Sequence, residues 1–297
     1  MRHGVDGHGA LLIHMARPHI EFIAAQTLPW AHAPGGLARP GVEIKVLSQD
    51  DGNGAASVIL RYPAGFRMAG GHWLSATEEF LVLDGALELN GRAYGAHAYA
   101  NLPPGYVREH MSSPRGATLL TFFDRAAVAG QGPVPAVDRT ELVEHLDVVR
   151  MEWDSSGIDP GLAFMGIKRK TLRRDHARDQ RASFLIATAP HNHTQDWACP
   201  SLTHPCVEEC FMLAGDLTGP QGVLHTGCYF WRPPGIAHGP FGSRYGSLSL
   251  IRFVDGKHVN VWGDAALPYS YDVPHAPVLP PHLAAFGAVP YRGFLPW

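Results

Sequence analysis

The sequence is short of several things, and each shortage narrows what the chain can be. It has almost no excess of one charge, since 24 Lys and Arg stand against 27 Asp and Glu for a net charge of −3. That balance removes an electrostatic argument for nucleic acid or an anionic membrane surface as a partner. Apolar runs stay well below the roughly 20 residues that span a bilayer, and the N-terminus lacks the basic, apolar and cleavage-site layout of a secretory signal. A cytoplasmic protein with no membrane partner is the expectation. Cysteine is confined to Cys199, Cys206, Cys210 and Cys228, with no C-x2-C spacing, which fits reduced thiols in a cytosolic protein.

Turn chemistry is abundant instead. Gly 33 and Pro 25 make up about a fifth of the 297 residues, well above average usage, as an all-β protein with many tight turns requires. HIEFIAAQ reads as a half-buried strand from Pro18 onward. VEIKVLSQ and ASVILRY then flank Asp51-Gly52-Asn53-Gly54, the strongest hairpin signal in the chain.

The chain also repeats itself. Glu78 and Glu208, Gly85 and Gly215, Pro103 and Pro233, and Gly105 and Gly235 are all 130 positions apart. Upstream, Ala56-Ser57 and Ala182-Ser183 are 126 apart, so four residues enter the second copy within ATAPHNHTQDWACPSLTH. LPWAHAPGG likewise matches MEWDSSGIDPG. A self-match at fixed period indicates two copies of one supersecondary plan, and the Pro- and Gly-rich stretch AAVAGQGPVPAVD between them reads as a linker.

The densest chemistry lies between His204 and Pro240. His204 and Glu208 are an even number apart, so on an extended chain they share a face, with Cys206, Cys210 and Met212. Buried cysteines on that face read as small hydrophobes rather than ligands. Pro234-Gly235 has the chemistry of a type II turn, and the strand leaving it carries His238. Two such strands facing each other in a small barrel bring His204, Glu208 and His238 to one interior point. Two imidazoles and a carboxylate with open positions suit non-haem Fe(II), and Mn, Ni or Zn can use the same atoms.

The two patterns, His204-x3-Glu208-x6-Gly215 and Gly227-x5-Pro233-x-Gly235-x2-His238, resemble the paired motifs of the cupin superfamily. The resemblance covers about residues 18–255 and implies an all-β protein of two tandem cupin (RmlC-like jelly-roll) barrels, a bicupin. Its expected organisation is an N-terminal extension at 1–17, with Met15 a candidate start, and a first barrel at 18–125. A linker at 126–144, a second barrel at 145–255 and a Pro- and aromatic-rich tail at 256–297 packing on the barrels follow.

Cupins offer three histidines and one glutamate to a metal. In the second copy those positions hold Leu202, His204, Glu208 and His238, which implies one divalent metal there (Fe, Mn, Ni or Zn). A water, His191 or His193 is available as a fourth ligand, although the two histidines read better as exposed loop residues. In the first copy the positions hold His72, Leu74, Glu78 and Arg108. A guanidinium does not coordinate a cation, so Arg108 is expected to pair with Glu78 or with an anionic ligand. His72, Glu78 and His110, on the face of Arg108 in a regular strand, form a weaker metal set. The implied activity is that of a cupin dioxygenase on a small organic substrate, with no general base assigned. The alternatives are a non-catalytic metal- or ligand-binding or sensing cupin, like the metal-binding domain of ChrR-type anti-sigma factors, and a cupin isomerase. The basic stretch at 168–181 mixes Asp with Arg and reads as a solvated turn. A monomer or homodimer is expected.

Overall fold

The computed structural model describes residues 17–130, 133–175, 179–191, 193–194 and 196–297. The extension expected at 1–17 lies outside them except for Arg17, and so does the candidate start at Met15. The fold is all-β, two tandem jelly-roll barrels joined only by short 3₁₀ turns and loops.

Each barrel is built around one long strand used twice. In the first, the opening half of Glu78–Leu89 pairs with Ala98–Leu102, while its closing half pairs with Arg92–Gly95 and touches Arg108–Ser113. In the second, Val207–Gly219 pairs with Cys228–Arg232 through its opening half and with Gly222–His225 through its closing half. The strand bends between the halves at Gly85 or Gly215. Both glycines have φ above +70°, and a Cβ on either would run into the backbone of Gly116 or Gly246, so no other residue fits. The DGNG hairpin joins Glu43–Gln49 to Ala56–Tyr62, with Asp50 Oδ1 accepting from the Gly52 and Asn53 amides at 2.7 and 3.1 Å.

Burial along these strands follows a period of two with both faces covered. Phe80 and Val82 point into the first barrel, and Cys210 and Met212 into the second. Their alternates Leu81, Leu83, Val207, Phe211 and Leu213 form a shared core between the barrels. Two buried carboxylates cross that core. Glu79 accepts from Tyr99 Oη at 2.9 Å and from Ser183 Oγ of the other barrel; Glu209 accepts from Tyr229 Oη at 2.7 Å and from Ser57 Oγ. Arg252 donates to both.

Each barrel lends the other an edge strand, which the sequence reading did not anticipate. Ile20–Ala24, assigned above to the first barrel, pairs with Cys228–Arg232 in the second, so that Ile23 lies opposite Tyr229. Val143–Asp147, assigned to the linker and second barrel, pairs with Ala98–Leu102 in the first, so that Leu146 lies opposite Tyr99. Every strand has the composition its position suggests, but the backbone partner it meets across the interface leaves no local mark.

The segment 256–297 lies along the second barrel. Val261–Pro268 pairs with Ala198–Thr203, Val278 bridges to Glu21, and Leu283 is buried in the shared core.

Candidate metal centre

His204 follows the strand Ala198–Thr203, Glu208 opens the long strand two residues past a bend, and His238 faces Leu202 across a two-way backbone bridge with both N···O distances at 3.0 Å. The Pro-Gly turn locks this arrangement. Gly235, at φ +79°, donates its amide to the His204 carbonyl at 2.8 Å, tying the second motif to the first. Side-chain ligand atoms of His204, Glu208 and His238 lie within 4.8 Å of one another, and all three residues are buried.

The ring orientations are fixed by main-chain carbonyls. His204 Nδ1 lies 3.0 Å from Val259 O and His238 Nδ1 lies 2.9 Å from Ile236 O. A carbonyl oxygen only accepts, so each Nδ1 carries a proton, and in the neutral ring it is Nε2 that has the free lone pair. Those two Nε2 atoms face Glu208 Oε2 at 3.8 and 3.3 Å.

Electrostatics bear on Glu208 and His238. Burial opposes ionisation of Glu208, but the Arg232 guanidinium outweighs it and holds the carboxyl at about 2. Burial, reinforced by Arg232, lowers His238 to about 4, so its imidazole is neutral at pH 7. Burial pushes the thiols of Cys206 and Cys228 up to about 12 and raises Cys210 as well, so none offers a thiolate.

Two residues that motif reasoning missed hold the site from behind. Arg232 donates Nη1 to Glu208 Oε2 at 2.6 Å, and its Nε and Nη2 both go to Glu21. Glu21 arrives on the lent edge strand, 211 residues away from its partner in sequence. The third addition is His258 from the tail segment, stacked on Phe253 at 3.6 Å with its ring centre 4.9 Å from that of His204.

The remaining sequence candidates are placed elsewhere. His191 is buried, not an exposed loop residue, and its Nδ1 accepts the Ser243 amide at 2.8 Å. His193 stacks flat on Trp197 at 3.6 Å. Tyr271, from the tail, donates to the His191 carbonyl at 2.6 Å and helps enclose the pair. Neither belongs to the ligand cluster.

In the first barrel Glu78 lies between two guanidinia, with Arg39 Nη2 at 2.7 Å on Oε2 and Arg108 Nη2 at 2.7 Å on the same oxygen. The expected Arg108–Glu78 pair is therefore present, joined by an Arg39 that the repeat did not mark. Burial, then Arg108 and Arg39, lowers the neighbouring His72 to about 4. His110 is exposed, contrary to the regular-strand expectation. The pairing of Phe66–Leu74 with Arg108–Ser113 shifts register between Ala69 and His72, and inward parity passes to Met111.

A cavity of about 570 Å³ opens onto the His204, Glu208 and His238 cluster. Its walls are mainly apolar, with Ile158, Leu162, Ile186, Phe184, Phe241 and Phe253 among them.

Comparison with known proteins agrees with this architecture. A family profile described as "Domain of unknown function (DUF4437)" matches residues 21–261. No curated protein matches the chain. Among solved structures, a protein from Nostoc punctiforme PCC 73102 described as a "putative dioxygenase" superposes with a TM-score of 0.70. It shares 17% identity over 87% of this chain and 88% of that one. Oxalate decarboxylase from Bacillus subtilis superposes with a TM-score of 0.50 at 13% identity, over 82% of this chain and 78% of that one. At these identities the likeness is one of fold, and the fold is cupin-like.

Proposed function

We propose, from the premise that the chain belongs to the DUF4437 family of cupin-like fold, that its second barrel binds one divalent metal through His204, Glu208 and His238. The metal would serve a dioxygenase-like oxidation of a small organic substrate. One observation carries the reading. Two imidazoles whose Nδ1 atoms face main-chain carbonyls turn their Nε2 atoms onto a carboxylate oxygen at 3.3 and 3.8 Å. Neutral rings in that orientation aim lone pairs at the carboxylate, an arrangement that a divalent cation among them satisfies.

The local charge agrees. Glu208 and Glu21 against Arg232 leave one negative charge, which a divalent ion turns to a single positive one. When bound, such an ion supplies the redox or Lewis-acid chemistry that the side chains lack. The protein's own contribution is placement. Val259 and Ile236 carbonyls fix the rings, Arg232 fixes the carboxylate, and the apolar walls keep water from the reacting face.

A second reading, a ligand-binding barrel without turnover, is favoured by Arg232, which donates to the same Glu208 oxygen that the imidazoles face. The test is to reload protein with Fe, Mn, Ni and Zn separately, measure metal per chain, and follow oxygen consumption with catechols and diketones. One ion per chain with substrate-dependent oxygen uptake supports the oxidase-type reading. Occupancy near zero with all four metals overturns the metal centre, and full occupancy without turnover favours the binding module.

A further inference from the structure

The mouth of the second barrel carries a cation that forms no salt bridge among the described residues. Arg169, half-buried on the strand Lys168–Arg174, lines both the metal-site cavity and an adjoining one of about 180 Å³. Its Nη2 donates to the Ser156 carbonyl at 3.0 Å, and its Nε is buried without an acceptor. Among the described residues it forms no ion pair. Asp154, its partner in a backbone bridge, feels the Arg169 charge but turns its oxygens to Ser156 at 2.7 and 2.9 Å.

Other charges facing the cavity are already committed. Arg232 is held by Glu21 and Glu208. Asp159 accepts from the Gly161 amide, Asn260 and Trp262 at 2.8 to 3.0 Å. The adjoining cavity adds Arg174 and Arg181, with Asp179 taken by Arg174 at 3.0 Å, so the approach is basic. Arg169 therefore has unsatisfied donors at the entrance of a pocket that is otherwise apolar.

A run of rings connects that cation to the metal ligands. Arg169 Cζ lies 5.4 Å from the Phe184 ring, Phe184 packs edge-on to Phe253 at 6.3 Å, Phe253 stacks on His258, and His258 meets His204. A planar or branched apolar body fits along this wall, whereas a guanidinium with free N–H groups calls for a carboxylate.

Resting on the metal-centre reading above, the geometry points to an amphipathic carboxylate as the substrate class. Its carboxylate sits on Arg169, its aryl or branched alkyl body lies against Phe184, Phe253 and Ile186, and its far end reaches the His204, Glu208 and His238 face. A small polar diacid would leave those apolar walls uncovered.

The test compares 3-phenylpropanoate with its neutral isostere 3-phenylpropanamide by titration calorimetry. Zinc-loaded and metal-free protein are both used, and metal per chain is counted on the same samples. The acid is expected to bind at least about tenfold more tightly than the amide, as a charge-assisted hydrogen bond predicts. The preference should shrink at high salt and vanish in Arg169→Gln, with metal content unchanged and partial recovery in Arg169→Lys. Equal affinity of acid and amide in the wild type, a preference that survives Arg169→Gln, or binding of neither compound overturns the proposal. Should Arg169→Gln fail to fold, the wild-type acid and amide at low and high salt decide the matter alone. Zinc content near zero defeats the metal centre instead, and the acid preference of metal-free protein still judges Arg169.

Discussion

At the position 130 residues before His204 the first barrel has Leu74, fully buried among Phe80, Val82 and Leu102; the second barrel at that point has an imidazole on the wall of a 570 Å³ cavity. His238 has Arg108 as its counterpart, and Arg232 has Leu102. These exchanges alone leave the formal charge unchanged, and it is Arg39 in the first barrel and Glu21 in the second that invert it. Glu78 is enclosed by Arg39 and Arg108, leaving one formal positive charge, whereas Glu208 shares Arg232 with Glu21, leaving one negative. Hence the same backbone gives a closed, positively charged core in one copy and an open, negatively charged one in the other. The three exchanges open the interior and supply the imidazoles, while Arg39 and Glu21, each brought in from outside the paired motifs, set the sign of its charge.

The comparison breaks first at the metal. Glu208→Ala or His238→Ala should abolish stoichiometric binding and His72→Ala should leave it intact, measured as metal per chain after dialysis against a weak chelator. Full occupancy in His238→Ala, or complete loss in His72→Ala, would move the centre to the first barrel.

Next in size is the closed ion triad. Glu78→Gln strands two buried guanidinia and should cost about 3–5 kcal/mol in urea unfolding. The same triad gives a pH signature. Burial alone would raise the Glu78 carboxyl, but Arg39 and Arg108 hold it at about 2, below its ordinary 4.5. A depressed carboxylate stabilises fully above about pH 4.5, and that stability is lost as pH falls toward 2. His72, held at about 4 instead of 6.5, adds a loss that begins below pH 6.5. A urea midpoint that stays flat from pH 7 to pH 3 would contradict both.

Packing should differ too. Leu74→Ala, in the filled barrel, is expected to cost about 2–5 kcal/mol. Ile186→Ala, which only enlarges an existing cavity, should cost nearer about 1 kcal/mol, because fewer contacts are lost. Equal penalties would mean that the second interior is as tightly filled as the first.

The smallest expected effect sharpens the role of the lent strand. Glu21→Gln removes the carboxylate that orients Arg232 and should weaken metal affinity by about 10- to 100-fold while leaving one site per chain. Competition with a chromophoric chelator measures it, and unchanged affinity would reduce Glu21 to an edge-strand residue.

Much of this plan was legible in the residues. The 130-residue period, the DGNG hairpin and the glycines that bend the long strands all appear as local chemistry, and the spacing of His204, Glu208 and His238 is enough to bring them together. What stayed hidden is non-local. Arg39 and Glu21 sit in stretches with no motif, and each meets its carboxylate or guanidinium only through tertiary folding. His258 lay in a segment read as a tail. His110 was assigned inward by parity, and a register shift in the partner strand defeated that rule.

The lent strand also orders events during synthesis. Ile20–Ala24 leaves the ribosome some 200 residues before Cys228–Arg232, its hydrogen-bonding partner. Until the later strand emerges, Ile20, Phe22 and Ile23 have no sheet to join and Glu21 has no counter-ion. The first barrel can close only when Val143–Asp147 follows it out, and the second only when Ile20–Ala24 meets its partner Cys228–Arg232. Contacts of such high sequence separation form slowly and leave apolar edges exposed while they wait. The nascent chain is therefore most prone to aggregation between those two closures, and a chaperone that shields Ile20–Ala24 would act where the delay is longest.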